Sequence, residues 1–221
     1  MRTLFLAALM ASAATAALAA DLPTHKAPMA PAPAYAPPFT WGGLYVGING
    51  GYAFGDASNT FFANPNGGVV GGTLGYNYQM SQFVFGVEGD FDYAFTRQSN
   101  NFAVGGVTGA NTFKVNWITT ERLRLGYAVD RALFYVTGGY AGVDTHATVA
   151  DSLGNNFAQN NWRSGGALGA GIEYAFTNNI SVKGEYLWLP MQDQTYWSGL
   201  PYQETNHLDI SLFRVGLNYK F

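Results

Sequence analysis

Leu212-Phe213-Arg214-Val215-Gly216-Leu217-Asn218-Tyr219-Lys220-Phe221 closes the sequence. Taken every second residue, it gives Phe213, Val215, Leu217, Tyr219 and Phe221 on one face. The other face holds Arg214, Gly216, Asn218 and Lys220. Strict period-2 alternation between large apolar groups and charged, polar or empty positions is the pattern of a strand with different surroundings on its two sides.

Seven further segments alternate in the same way. In Trp41 to Phe54, Leu44, Val46, Ile48, Tyr52 and Phe54 share a face; in 69–79, so do Val70, Leu74, Tyr76 and Tyr78. Residues 82–95 set Phe83, Phe85, Val87, Phe91, Tyr93 and Phe95 against Glu88, Asp90 and Asp92. Residues 112–127 set Val115, Trp117, Leu123 and Leu125 against Lys114, Arg122 and Arg124. The segment 132–143 is ambiguous in phase, because Leu133-Phe134-Tyr135-Val136 is apolar on both faces. In 165–176, Leu168, Ile172, Tyr174 and Phe176 oppose Glu173. In 180–190, Val182, Tyr186 and Trp188 oppose Lys183 and Glu185, and the last segment begins near His207.

The connections alternate in length. Residues 55–68, 96–111, 144–164 and 191–206 read as long loops rich in Asn, Ser, Gly and Gln. Residues 79–82, 128–131 and 177–179 read as short turns carrying Asp130 and Asn178-Asn179. An even number of tilted strands with short turns at one end and long loops at the other predicts an all-β, eight-stranded antiparallel up-and-down transmembrane β-barrel. A soluble barrel also alternates. Its apolar face points inward, however, and the rings counted above would overfill an eight-stranded interior. Tyr76, Tyr78, Phe83, Tyr127, Phe134, Tyr174, Phe176, Tyr219 and Phe221 fall at the short-turn end, as an aromatic girdle at a membrane interface does.

The N-terminal region is unlike the rest. Met1-Arg2, an apolar run from Leu4 to Leu18 and the small-x-small pattern Ala17-Leu18-Ala19 read as a secretory signal peptide over residues 1–19. That run is shorter than the roughly 20 apolar residues of a spanning helix. Residues 21–40 hold six of the nine prolines, so 20–40 reads as an extended leader on the periplasmic side, with the barrel occupying 41–221. Loss of Arg2 with the signal takes the net charge from −3 to about −4. Basic residues are scattered singly, which excludes a nucleic-acid surface. There is no cysteine, so no disulfide supports the exported chain.

The leader ADLP…KAP…APAPAYAPPF, the entry FTWGGLYVGINGGYAFG, the pair ERLRLGYA and the ending RVGLNYKF resemble the small outer-membrane porin-family proteins of alphaproteobacteria, the immunodominant Rhizobiales barrels of the Omp25 and Omp31 type. The resemblance implies an abundant structural protein of the cell outer membrane, surrounded by lipid and lipopolysaccharide. It also implies that Phe213, Val215, Leu217, Tyr219 and the final Phe221 form the signal read by the barrel-assembly machinery. A mature N-terminus of the Ala20-Asp21 type implies possible covalent attachment of Ala20 to peptidoglycan.

Within the barrel, Glu88, Asp90, Asp92, Lys114, Arg122, Arg124, Glu173, Lys183, Glu185 and Arg214 are expected to face the lumen with both signs in near balance. They form a pairing plug, or they line a narrow channel for ions or small solutes. The turn at 177–179 sets Glu173 opposite Lys183. Counted in the phase of Trp117, Glu121 falls on the lipid face, and a bulge turning it inward is the expected remedy. His207-x-Asp209-x-Ser211 is the composition of a rim hydrolase, although i and i+2 strand neighbours sit about 6.6–6.8 Å apart. No metal or other cofactor is expected: His25 and His146 are isolated, and the glycine clusters lack a phosphate-binding lysine. The fine function thus stays open between envelope support, narrow conduction and, at the margin, hydrolysis.

Overall fold

Alternating side chains need a partner strand on each side, and the computed structural model supplies it by closing the sheet on itself. It describes residues 38–57, 64, 66–104, 106–154, 156–196 and 204–221. The strands are β1 (Gly43–Ala57), β2 (Gly67–Met80), β3 (Phe83–Ala94), β4 (Gln98–Val104), β5 (Val107–Val129), β6 (Ala132–Asp151), β7 (Asn156–Ala175), β8 (Ile180–Tyr196) and β9 (Glu204–Lys220). Sequence neighbours pair antiparallel except β3 with β4, β1 pairs with β9, and β3 pairs with β5. The ring therefore has eight staves, and β4 is a short ninth strand continuing the line of β3 against the upper part of β5.

Where they are described, the long loops read from sequence are mostly strand. β5 and β6 pair from Val129↔Ala132 up to Gly109↔Asp151, and β6 and β7 pair as far as Ala150↔Asn156. Asn, Gln and Thr weaken the alternation signal, but backbone pairing within a hairpin does not depend on it. The short turns lie where expected, at Ser81-Gln82, Asp130-Arg131 and 176–179. Asp130 takes φ of 51°, a left-handed conformation that Asp tolerates better than most residues.

One irregularity sets the phase of β5. Its register to β6 slips between Val115 and Trp117, so Asn116 is an extra residue. Below this bulge Ile118, Thr120, Arg122 and Arg124 point inward; above it Asn111, Phe113 and Val115 do. Two expectations are corrected by that slip. Val115 faces the interior, and Lys114 stands on the outer face opposite His146 instead of in the lumen. The bulge also does not rescue Glu121, which lies below it and faces outward, because Arg122 and Arg124 hold the inward phase there. On the other side of the slip, β3 breaks at residues 95–97. The Thr96 hydroxyl fills the gap, accepting from the Val115 N–H at 2.8 Å and donating to the Val115 carbonyl at 3.1 Å.

The outward face is apolar over the lower part of the staves and ends in a second aromatic belt. Tyr93, Trp117, Tyr140, Trp162, Tyr186, Trp188 and Phe213 belong to it, all exposed. Phe91 stacks on Trp117 with centroids 4.8 Å apart, and Tyr186 lies 4.7 Å from Phe213. Above this belt the two faces exchange character. Asp144, His146, Asn160, His207 and Asp209 stand outside, while Val143, Val149, Leu189, Met191, Leu208 and Ile210 are buried inside. The lower barrel is thus apolar outside and polar inside, and the upper wall follows the soluble-barrel rule.

The stitch at the β3 break gives a direct test. Thr96→Val keeps the volume but leaves the buried Val115 N–H and carbonyl without the hydroxyl, at about 1–3 kcal/mol for each unsatisfied group. The unfolding midpoint in urea should fall accordingly. The parent should migrate compactly on a gel until boiled, and the variant should lose that mobility at lower denaturant.

Candidate functional site

The inward side chains form three layers. At the short-turn end Trp41, Val84, Leu133, Tyr135 and Ala175 pack together with Phe39, whose ring meets Trp41 edge-on at 5.2 Å. At the other end lies a larger aliphatic layer that includes Phe113, Ile118, Val143, Leu187, Leu189, Met191, Leu208, Ile210 and Leu212. Between them sits a layer of buried charge.

Arg122 is central to that layer. Its guanidinium lies 2.5 Å from Glu88 Oε1, 2.6 Å from Asp90 Oδ2 and 2.8 Å from Glu185 Oε2, and it donates to the Thr137 hydroxyl at 3.1 Å. Arg214 reaches Glu185 at 2.6 Å, Asp92 at 2.7 Å and Asp90 at 3.1 Å. Lys183 Nζ lies 3.0 Å from Glu88. Arg124 pairs with Glu173 and stacks over the Tyr135 ring at 3.7 Å. Hydroxyls and an amide take up remaining lone pairs: Tyr45 and Thr73 donate to Glu88 and Asp90 at 2.7 Å, and Asn218 donates to Glu173 at 2.8 Å.

The topology makes these contacts struts. β5 and β8 are three staves apart in the ring, as are β3 and β9. Arg122 to Glu185 and Arg214 to Asp90 and Asp92 therefore cross the lumen between opposite walls. Glycine makes the room. A Cβ on Gly75 would collide with the Tyr45 ring, and one on Gly171 would sit 2.5 Å from the Tyr135 ring. Bare backbone on one stave receives the ring of its register partner on the adjacent stave.

Glu88, Asp90, Asp92, Arg122, Arg124, Glu173, Lys183, Glu185 and Arg214 thus lie together, and Lys114 does not join them. Glu173 and Lys183 are register partners, yet each finds its ion partner elsewhere, in Arg124 and Glu88. Sequence reading passed over Tyr45, Thr73, Thr120 and Asn218, which sit in the inward phase of their strands. It also passed over Arg163, buried in the upper half. Phe213, Val215, Leu217, Tyr219 and Phe221 all face outward, and Ala20 lies outside the described residues. The rim trio is split. His207 Nδ1 is 2.7 Å from Asp193 and its Nε2 is 3.5 Å from Asp209, whereas the Ser211 hydroxyl is paired with the Tyr186 hydroxyl at 3.0 Å. The described residues contain no group of His, Cys, Asp and Glu arranged to hold a metal.

Burying so many charges is costly unless every one is paired, and removing one partner leaves the others uncompensated. Arg122→Met should therefore destabilise the barrel by about 3–5 kcal/mol, more than a lost surface ion pair at about 0–1 kcal/mol. Lys114→Met, made on the outer face, should change stability by less than about 1 kcal/mol. Paired urea titrations of the two refolded variants in lipid measure the difference.

Comparison with known proteins agrees with this architecture. The family described as "Outer membrane protein beta-barrel domain" matches residues 3–221. The 31 kDa outer-membrane immunogenic protein of Brucella melitensis is 35% identical, with all of both chains covered. The 25 kDa outer-membrane immunogenic protein of the same organism is 32% identical, covering 97% of this chain and 95% of its own. A 22 kDa outer membrane protein of Rhizobium leguminosarum is 34% identical over 72% of this chain and 69% of its own. Among solved structures, Neisserial surface protein A superposes with a TM-score of 0.50 at 13% identity, covering 80% of this chain and 97% of its own, which speaks for the fold alone. The chain belongs to the outer-membrane β-barrel protein family, beside the Brucella immunogenic proteins, and its place is the outer membrane.

Proposed function

We propose that this protein is a sealed barrel whose role is mechanical support of the cell envelope rather than transport or catalysis. The observation that carries the reading is the charged layer braced across the lumen and capped by an apolar layer at each end. A conducting constriction needs charges that an ion can approach and leave. Here the side chains of Arg122, Arg214, Glu88, Asp90 and Glu185 are wholly buried and spent on one another. The split rim trio supports a non-catalytic reading, because the hydroxyl is engaged by Tyr186 and not by the histidine. Planar-bilayer recording on the refolded chain tests the seal. It should give no resolved steps, and reproducible unitary conductance would replace the plug with the narrow channel.

The support role has a second element at the N-terminus. The leader spans about 60–65 Å if extended at 3.1 Å per residue, enough to reach from the membrane to the cell wall. In this reading Ala20 is the residue joined to peptidoglycan. The outward set ending in Phe221 is then the assembly signal, and lipid with lipopolysaccharide forms the remaining surroundings. Mass spectrometry of detergent-washed, lysozyme-digested sacculi should find a muropeptide on the Ala20 amine. Recovery of free N-termini alone would leave a barrel without a tether.

A further inference from the structure

Among the described residues, Glu121 is the only ionisable side chain that faces outward between the two aromatic belts. It lies four residues along β5 from Trp117 and six from Tyr127. That places it about 10 Å below Trp117 and about 15 Å above Tyr127 along its own strand, for 3.4 Å per residue and a strand tilt of about 35–45°, while Tyr140 of the upper belt is its register partner on β6. The polar group beside it on β6, the Tyr140 hydroxyl, is shared with the Ser164 hydroxyl at 2.8 Å and accepts from Trp162 Nε1 at 3.3 Å. An ionisable residue in such a place marks a contact with a definite partner.

The surface beside it is recessed. The direct neighbours of Glu121 are Gly89 on β3 and Tyr140 on β6, and Gly138 lies diagonal to it on β6. Neither glycine is needed by the interior. A Cβ on Gly89 would meet only the Thr120 carbonyl, at 3.9 Å, and one on Gly138 would touch Leu168 at an ordinary 3.5 Å. With Leu74, Val87 and Leu123 as its raised rim, the notch is a depression of about 570 Å³ on the outer wall. Apolar surface gives no drive to associate in lipid. Small residues that permit close approach, combined with a polar group that must be satisfied, do.

We propose that the Glu121–Gly89–Gly138 notch is the contact by which two copies of this barrel pair in the membrane, with the Glu121 carboxyls of the two copies hydrogen-bonded to each other. The choice of a second copy follows from depth. Two copies held by the same pair of belts carry Glu121 at the same height. A two-fold axis along the membrane normal therefore brings carboxyl to carboxyl, one O–H donating to an oxygen of the other. The described outer face carries no cation between the belts that could answer the group instead. An isologous interface also closes after two copies, so it ends in a dimer and not a chain. The inference goes beyond envelope support and holds whether or not the lumen conducts.

The absence of cysteine makes the test direct. Leu123→Cys, on the rim of the notch with Glu121 in place, refolded in phosphatidylcholine vesicles and treated with a mild oxidant, should convert mostly to a disulfide dimer. Val215→Cys, on the opposite wall, should stay monomeric. In parallel, single-molecule photobleaching of chains labelled through Ser81→Cys at the exposed turn should count mostly two-step spots for Glu121. Glu121→Gln, whose amide still donates and accepts, should keep that count, and Glu121→Leu should lower the dimer fraction at least tenfold. Gly89→Leu, which fills the notch and leaves the carboxyl, should lower it as well. Compact migration before boiling shows that each variant is folded. The proposal is overturned by equal cross-linking at Val215, by a Leu variant that pairs like the parent, or by monomers at every density. With phosphatidylethanolamine added to the vesicles, monomers that retain it only when Glu121 is present would overturn the proposal in favour of a lipid.

Discussion

Each strand of this barrel must satisfy two surroundings at once, and those surroundings trade places partway up the wall. Between the aromatic belts the outside is hydrocarbon, so the apolar side chains go there and the polar ones turn inward. Above Trp117, Tyr140 and Trp188 the outside is water, and the same alternation sends Val143, Leu189 and Ile210 inward instead. A strand of strict period 2 cannot make that exchange by geometry alone; the residue types must invert along it, or an extra residue must shift the phase. β9 takes the first route, from Leu217 and Val215 outside to Leu212, Ile210 and Leu208 inside. β5 takes the second, at Asn116.

How much of this could be read from the chain follows from the same rule. Where hydrocarbon and lumen oppose each other, one face is all large apolar groups, and the phase of β1, β2, β3, β7 and β9 was plain. β6 was not, because Leu133 and Tyr135 belong to the lower apolar layer while Phe134 and Val136 meet lipid. The upper wall was missed as strand for a related reason: small and polar residues such as Thr145, Ala147, Asn160 and Asn161 give it weak contrast. Charge in the lumen was legible as phase, but not as partnership. Register pairs neighbours on adjacent staves, whereas long side chains reach across the ring, so Glu173 sits beside Lys183 in the ladder and bonds to Arg124. Lys114 was misplaced because nothing in the residues around Asn116 announces a bulge.

The bulge and the break opposite it form one joint. A slip on β5 alone would leave β3 with a mismatched ladder; the interruption at residues 95–97 absorbs the mismatch, and one hydroxyl on Thr96 replaces the missing backbone partner. β4 then resumes the line of β3 against the shifted register. The change of phase on β5 and the ninth strand are thus products of a single inserted residue.

The cross-lumen struts also bear on how the chain reaches its folded state. Arg214 and its carboxylate partners Asp92 and Asp90 are separated by 122 and 124 residues of sequence, and they lie on walls that face one another only in the closed ring. Until β9 has paired with β1, the acids on β3 and the base on β9 have no common interior. A partly zipped sheet would hold unpaired charges against lipid, at several kcal/mol for each ion. Closure and charge neutralisation are therefore one event, and the penalty for stopping short makes the transition all-or-none. The same ion pairs that stop up the finished lumen act during folding as a ratchet against half-built barrels.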